Sequence, residues 1–128
     1  MTVELKMLLL AVLIPLVMVS AQGTLLVLKV GMAKVLGNRE DFSVPQGWQA
    51  RWVRAHGNQL ENLVLFGLVV LVAHAAGVSN TVTRAAAEMF VVARLLHALT
   101  YVAGILYVRT AAFYLGLLCI YAIVAQLF

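Results

Sequence analysis

The stretch that decides the fold is residues 7–28, MLLLAVLIPLVMVSAQGTLLVL, which contains no charged side chain. About 20 apolar residues cross the hydrocarbon core of a bilayer as an α-helix, so this run is long enough to span one. With Lys6 before it and small residues around Ser20, the run also resembles a signal peptide. The helical pattern continues through residues 25–36, however, which favours a membrane span that stays in the protein.

Composition extends this interpretation to the whole chain of 128 residues. Hydrophobic residues make up 64% and charged residues 11%, with a mean hydropathy of +1.02. A soluble domain carries about 25% charged residues, so there is too little polar surface here to cover a globule in water. The net charge of +4 does not point to nucleic acid, because the Lys and Arg residues are scattered through apolar sequence. Cys119 is the single cysteine, which excludes an intrachain disulfide.

Three further helices are predicted after the first. The polar stretch 37–47 indicates a loop, and the second helix begins near Trp48. Its apolar part is too short to span a bilayer unless the polar segment 51–62 belongs to the same helix. A turn at 77–80 follows, with Asn80 or Thr81 as a candidate N-cap.

The third predicted helix covers about residues 82–106 and the fourth about 110–128. Four apolar helices joined by short turns are typical of an antiparallel bundle. We therefore predict an all-α membrane protein, an antiparallel four-transmembrane-helix bundle that forms a single domain over residues 1–128.

Loop charges predict the orientation of this bundle. The first helix connection and its flanks contain five basic residues: Lys29, Lys34, Arg39, Arg51 and Arg54. Arg109 flanks the third connection, whereas the second has only Arg84, and Lys6 is the one basic residue that disagrees. The positive-inside rule then places the first and third connections in the cytoplasm and both termini on the other side. A short chain with this orientation suits a bacterial inner membrane.

Two polar stripes interrupt the apolar helices. The second predicted helix carries Arg51, Arg54, Asn58 and Glu61, and the third carries Arg94, His97 and Tyr101. At about 100° per residue each set falls on one helix face. A charged side chain at the bilayer centre costs about 2.5–3.5 kcal/mol, so both stripes should face protein or a water-filled cavity. Glu61 and Arg94 would then be the natural charge pair.

These stripes admit more than one interpretation. Structural hydrogen bonds and ion pairs between helices are the simplest, and intramembrane charges also occur in small transporters and proton channels. Three arginines near one membrane boundary, with an amide and a phenol, are better suited to a polar, anionic ligand. No metal site is predicted, because the histidines have no second carboxylate or thiol partner.

The segment 51–62, RWVRAHGNQLEN, resembles the signature R-x-x-R-A-H-x-N-x-x-E-N of the MAPEG family, the membrane-associated proteins of eicosanoid and glutathione metabolism. The downstream pattern Ala93-Arg94-x-x-His97-x-x-x-Tyr101 and Arg109 strengthen the resemblance, which covers about residues 20–115. It implies a homotrimer of four-helix bundles that binds glutathione between neighbouring subunits near the cytoplasmic face. Many members conjugate glutathione to lipophilic electrophiles or reduce lipid hydroperoxides with it.

Carried over by position, the resemblance implies that seven residues bind glutathione: Arg51, Arg54, Asn58, Glu61, Arg94, His97 and Tyr101. Arg109 would be the catalytic residue, because a cation beside the sulfur favours the nucleophilic thiolate. Two positions depart from better-known members: Gly57 replaces a further basic residue, and Phe113 replaces a tyrosine. A non-catalytic lipid-binding or scaffold protein of the same fold is therefore the alternative expectation.

Overall fold

The computed structural model describes residues 1–38, 40 and 42–128, and the regular structure of these residues is helical. The elements are α1 (Val3–Val30), α2 (Met32–Leu36), α3 (Gly47–Ala75), α4 (Thr81–Ala103) and α5 (Leu106–Val124). Four of them, α1, α3, α4 and α5, are long and apolar enough to cross a membrane. The prediction of an all-α protein with four transmembrane helices is confirmed.

Helix ends follow local residue chemistry. The side chain of Asn80 caps α4 by accepting hydrogen bonds from the amide N–H groups of Val82 and Thr83. Of the two predicted N-cap candidates, Asn80 is therefore confirmed. Gly31, with φ of 85°, separates α1 from the five-residue α2, so the predicted continuation to residue 36 is interrupted. Gly104 has a φ of 82°, a left-handed conformation that glycine adopts readily and that ends a helix. As a result α4 ends three residues earlier than the sequence predicted.

The fourth span also begins earlier than predicted, at Leu106. Arg109 therefore lies in the first turn of α5 and not in the connection before it. The predicted loop at 37–47 has no regular structure in its described residues before Gly47. Arg39, which contributed to the predicted orientation, lies outside the described residues.

Side-chain contacts give the directions of the helices. The Trp52 indole on α3 donates to the carbonyl of Met18 on α1, and Leu8 on α1 lies beside Gly67 on α3. Arg51 Nε on α3 donates to the carbonyl of Val102 on α4, and Gln59 Nε2 on α3 donates to the carbonyl of Arg94 on α4. Since one residue number falls as the other rises in each helix pair, α3 is antiparallel to both α1 and α4. The starts of α3 and α5 and the ends of α1 and α4 share one end of the bundle.

The distribution of side chains is inverted relative to a soluble bundle. The phenyl rings of Phe66 and Phe90 stack in the core, with centroids 3.9 Å apart, but many leucines on the outer faces are exposed. Polar residues are buried instead, among them Glu4, Gln59 and Arg94. This arrangement is stable only where the surrounding medium is apolar, and it agrees with contact between the outer helix faces and lipid.

Candidate functional site

Arg94 is the centre of the site and the largest side chain that is almost fully buried, with 1% of its surface exposed. Its Nε donates to Gln59 Oε1 at 2.8 Å, and Gln59 Nε2 donates back to the Arg94 carbonyl at 2.8 Å. Gly116 on α5 makes room for the arginine, since a Cβ there would lie 3.4 Å from Arg94 Cδ. Three helices therefore fix the position of this guanidinium group.

The rest of the guanidinium group meets only neutral partners. Arg94 Nη2 donates to Asn58 Oδ1 at 2.7 Å and lies 3.4 Å from His97 Nδ1. Arg94 Nη1 is buried without a hydrogen-bond partner among the described residues, and so is the Oδ1 atom of Asn62. We call Asn58, Gln59, Arg94 and His97 the Arg94 cluster. It combines a buried positive charge with unused hydrogen-bonding capacity.

The predicted Glu61–Arg94 pair is wrong within the described chain. Glu61 is exposed, and Arg94 is held by Asn58 and Gln59 instead. The physical reason is helix phase: Gln59 lies on the face of α3 that packs on α4, whereas Glu61 is about 200° further around the helix. The buried arginine consequently has no carboxylate to balance its charge in the part of the chain that the structure describes.

The predicted stripe on α3 divides into two pairs. Arg51 and Asn58 are half-buried and bond to α4, whereas Arg54 and Glu61 are exposed on the outside of the bundle. Seven residues separate Arg54 from Glu61, so they lie two helix turns apart on nearly the same face. Charges on a lipid-facing helix surface are costly, and this face therefore requires a polar or protein neighbour.

The predicted residues on α4 and α5 do meet. The Cζ atom of Arg109 lies 4.5 Å from the centroid of the Tyr101 ring, which is a cation–π distance. The Tyr101 and His97 rings make an edge contact at 5.4 Å, and the Phe113 ring lies 6.1 Å from His97. A continuous row thus connects the Arg94 cluster to Arg109. Tyr114 is 60% exposed and reaches this row only at its edge, where its ring contacts the Phe113 ring at 5.5 Å.

Gln59 is the residue of this site that the sequence reasoning missed. Its spacing carried the necessary signal, since Ala55, Gln59, Asn62 and Phe66 recur at intervals of four, three and four and are all buried. An amide within such a buried stripe needs hydrogen-bond partners on the neighbouring helix. The charged residues of the predicted stripe indicated the adjacent face of α3 as the binding face instead.

The chain matches the MAPEG family model over residues 5–128, nearly its full length. It belongs to the MAPEG family. No curated protein matches the sequence of this MAPEG protein. The family match covers α1 from its third residue, the other three membrane-spanning helices and every residue of the predicted glutathione site.

The chemical capability of this MAPEG protein follows from its donors. Arg94 and Arg109 are cations at the two ends of one aromatic row, which suits an elongated anion. No group of three or more His, Cys, Asp and Glu residues that could hold a metal ion occurs among the described residues. A separate cavity of about 740 Å³ lies between α1 and the start of α3, and none of the predicted glutathione-site residues lines it.

Proposed function

We propose that this protein is a glutathione-dependent transferase or peroxidase that acts on lipophilic electrophiles or lipid hydroperoxides from the bilayer. The observation that carries the proposal is the buried Arg94 guanidinium, whose Nη1 donor has no partner and which faces no carboxylate among the described residues. A buried charge without a counterion is costly, and an anionic ligand would remove that cost. Membership of a family that includes glutathione transferases and peroxidases supports the same choice.

Glutathione matches the charges that the site presents. The tripeptide has two carboxylates, one ammonium group and a thiol. Arg94, with Arg51 and Arg54, would bind the carboxylates, and Glu61 would bind the ammonium group. Asn58, His97 and Tyr101 would supply neutral hydrogen bonds and ring contacts to the peptide.

Arg109 would carry out the chemical role. A cation beside a thiol lowers the pKa of that thiol by about 1–3 units, which increases the population of the nucleophilic thiolate. The Tyr101 ring supports the guanidinium group from one side and so limits its positions. The electrophile would approach the sulfur from the lipid-facing side of α5, where the Phe113 ring offers an apolar surface.

The proposed assembly is a homotrimer. Arg54 and Glu61 are exposed on a single chain, and a neighbouring subunit would cover them and complete the ligand site. The proposed location is a bacterial inner membrane, with both termini on the non-cytoplasmic side. The basic residues at the end of the bundle shared by Lys29, Arg51 and Arg109 support this orientation.

The test is a calorimetric titration of the detergent-solubilised full chain with reduced glutathione. We expect saturable binding that weakens about tenfold or more in Arg94→Ala, because a hydrogen bond to a charged group contributes about 1.5–3 kcal/mol. Arg84→Ala is the matched control, an exposed arginine at the opposite end of α4 that should bind normally. The absence of binding at millimolar glutathione would refute the proposal.

A second function, a non-catalytic lipid-binding or scaffold protein, is favoured by two observations. Phe113 provides no hydroxyl beside His97. At Gly57, where the resemblance implies a basic residue in other members, no described side chain lies within 4 Å of an added Cβ. Thermal stabilisation by a fatty acid but not by glutathione would identify this alternative.

A further inference from the structure

A cavity of about 740 Å³ lies between the C-terminal part of α1, the first turns of α3 and the described residues of the connection at 37–45. Its volume lies within the range of about 300–1,000 Å³ that holds one drug-sized ligand. The lining on α1 extends from Gln22 to Val30, which is about 12 Å at the helical rise of 1.5 Å per residue. Leu25, Leu26 and Val30 make most of that lining apolar. The α1 wall therefore offers a hydrocarbon chain an apolar surface about 12 Å long.

Two tryptophans form the opposite wall. Trp48 and Trp52, in the first two turns of α3, make an edge contact with ring centroids 6.2 Å apart. The indole N–H of Trp52 already donates to the carbonyl of Met18. What Trp52 presents to the cavity is consequently apolar ring surface. Tryptophans in this position are typical of the boundary between hydrocarbon and headgroups.

Lys29 and Lys34 line the same cavity and are exposed. Neither ammonium group has a hydrogen bond or ion pair with another residue in the described ranges 1–38, 40 and 42–128. Glu40 is the acidic residue of the described lining, so the two lysines leave a net charge of +1 there. The long lysine side chains can cover apolar wall while their charged ends stay at the rim.

We propose that this cavity binds one long-chain fatty acid, with the hydrocarbon chain between α1 and the two tryptophans and the carboxylate at Lys29 and Lys34. One carboxylate matches the net charge of the rim, and one chain matches the size of the cavity. A diacyl phospholipid would require room for a second chain. The site is separate from the Arg94 cluster and does not depend on glutathione binding.

Tryptophan fluorescence measures occupancy of this cavity directly, because Trp48 and Trp52 are the only tryptophans of the chain. The full chain is placed in nanodiscs of zwitterionic phospholipid and titrated with dibromostearate, whose bromine atoms quench tryptophan on contact. We expect saturable quenching, and we expect the neutral methyl ester of the same acid to give none. Oleate should displace the brominated acid.

Substitution of the lysines tests the charge contribution. The double variant Lys29→Gln/Lys34→Gln should weaken binding about tenfold, the equivalent of 1.4 kcal/mol, since charge-assisted hydrogen bonds are lost. Lys6→Gln, at the opposite end of α1, should bind like the unaltered chain. The proposal would be overturned if the acid and its methyl ester quenched the tryptophans equally. It would also be overturned if the acid quenched the double variant as strongly as the unaltered chain. In a separate preparation the nanodiscs contain brominated phospholipid. Quenching of the tryptophans there that added oleate fails to relieve would also overturn the proposal.

Discussion

The bundle has two polar clusters, each around a buried charged side chain, and they differ in how completely their hydrogen bonds are satisfied. At one end Glu4, 3% exposed, accepts hydrogen bonds from the hydroxyls of Ser79 and Thr83, which tie the start of α1 to the start of α4. Asn80 caps α4 and also donates to Gln126 Oε1 at 3.0 Å. The Arg94 cluster lies further toward the other end and retains a free Nη1 donor. Each cluster has a buried charged side chain, but among the described residues only the Arg94 cluster keeps a buried donor without a partner.

The difference separates two uses of buried polarity in a membrane protein. A satisfied cluster holds helices together, because the alternative in hydrocarbon is an unpaired polar group. A cluster with a spare donor and an unbalanced charge is costly until a ligand occupies it. We call Glu4, Ser79, Thr83, Asn80 and Gln126 the Glu4 cluster, and we assign it to stability and the Arg94 cluster to binding. Substitutions at Glu4 and Gln59 test that assignment, and substitutions at Arg109 and Gly57 test the surroundings of the proposed ligand site.

Arg109→Ala should have the largest effect. Without this cation the pKa of the bound glutathione thiol rises by about 1–2 units, so the conjugation rate at neutral pH falls about 10- to 100-fold. The loss should shrink as the pH rises, because the thiolate then forms without the cation. The measurement is the rate with chlorodinitrobenzene against pH. A rate that is unchanged at every pH would exclude Arg109 from the chemistry.

Glu4→Ala should act on stability alone. The hydroxyls of Ser79 and Thr83 lose their common acceptor, at a cost of about 1–3 kcal/mol in the free energy of unfolding. Thermal unfolding in detergent measures the loss, and Lys6→Ala, an exposed neighbour, is the control. The Kd for glutathione should stay the same. A weaker Kd would mean that the two clusters are coupled, contrary to the comparison.

Gln59→Glu should weaken glutathione binding about fivefold, an effect that is smaller because no cation is removed. A carboxylate next to Arg94 Nε balances the buried charge from within the chain, so the site attracts an anion less. Gln59→Met is the matched neutral variant, which removes the hydrogen bonds without adding charge. Calorimetric titration of both variants distinguishes the two effects. If Gln59→Met binds as weakly as Gln59→Glu, the geometry of Arg94 and not its charge balance controls binding.

Gly57→Ala should have the smallest effect. Among the described residues outside its own helical backbone, no atom lies within 4 Å of the added Cβ, and alanine is favoured over glycine within a helix by about 0.8–1.0 kcal/mol. We expect a slight increase in thermal stability and an unchanged Kd for glutathione. A decrease in either would indicate that a neighbouring subunit or the ligand occupies the space beside Gly57.

The sequence predicted the spans well because membrane helices depend on a strong, local signal. Residues 7–28 and the uncharged C-terminal run required no knowledge of packing to be recognised. The end of α4 was placed three residues too late, since Gly104 lies among apolar residues that would otherwise continue a helix. The left-handed conformation of a single glycine sets that boundary, and a hydropathy pattern carries no information about it.

The site was predicted less completely because partners depend on tertiary geometry. Residue type and spacing found Arg94, His97 and Tyr101, and the family resemblance added Arg109; the structure brings these four into one row. The partner of Arg94 was wrong, since opposite charge suggested Glu61 while helix phase selected Gln59. Charge identifies which residues need partners, whereas the packed face of the helix determines which partners they meet.

The connection between α4 and α5 has a consequence for biogenesis. Only Gly104 and Ile105 separate the two helices, and the stem of Arg94 on α4 packs beside Gly116 on α5. A helix that enters the bilayer alone with an arginine near its centre meets a barrier of about 2.5–3.5 kcal/mol. Entry of α4 and α5 together as a hairpin would shield the guanidinium stem on one side from the start. Translation of α5 would then be the step that commits α4 to the membrane.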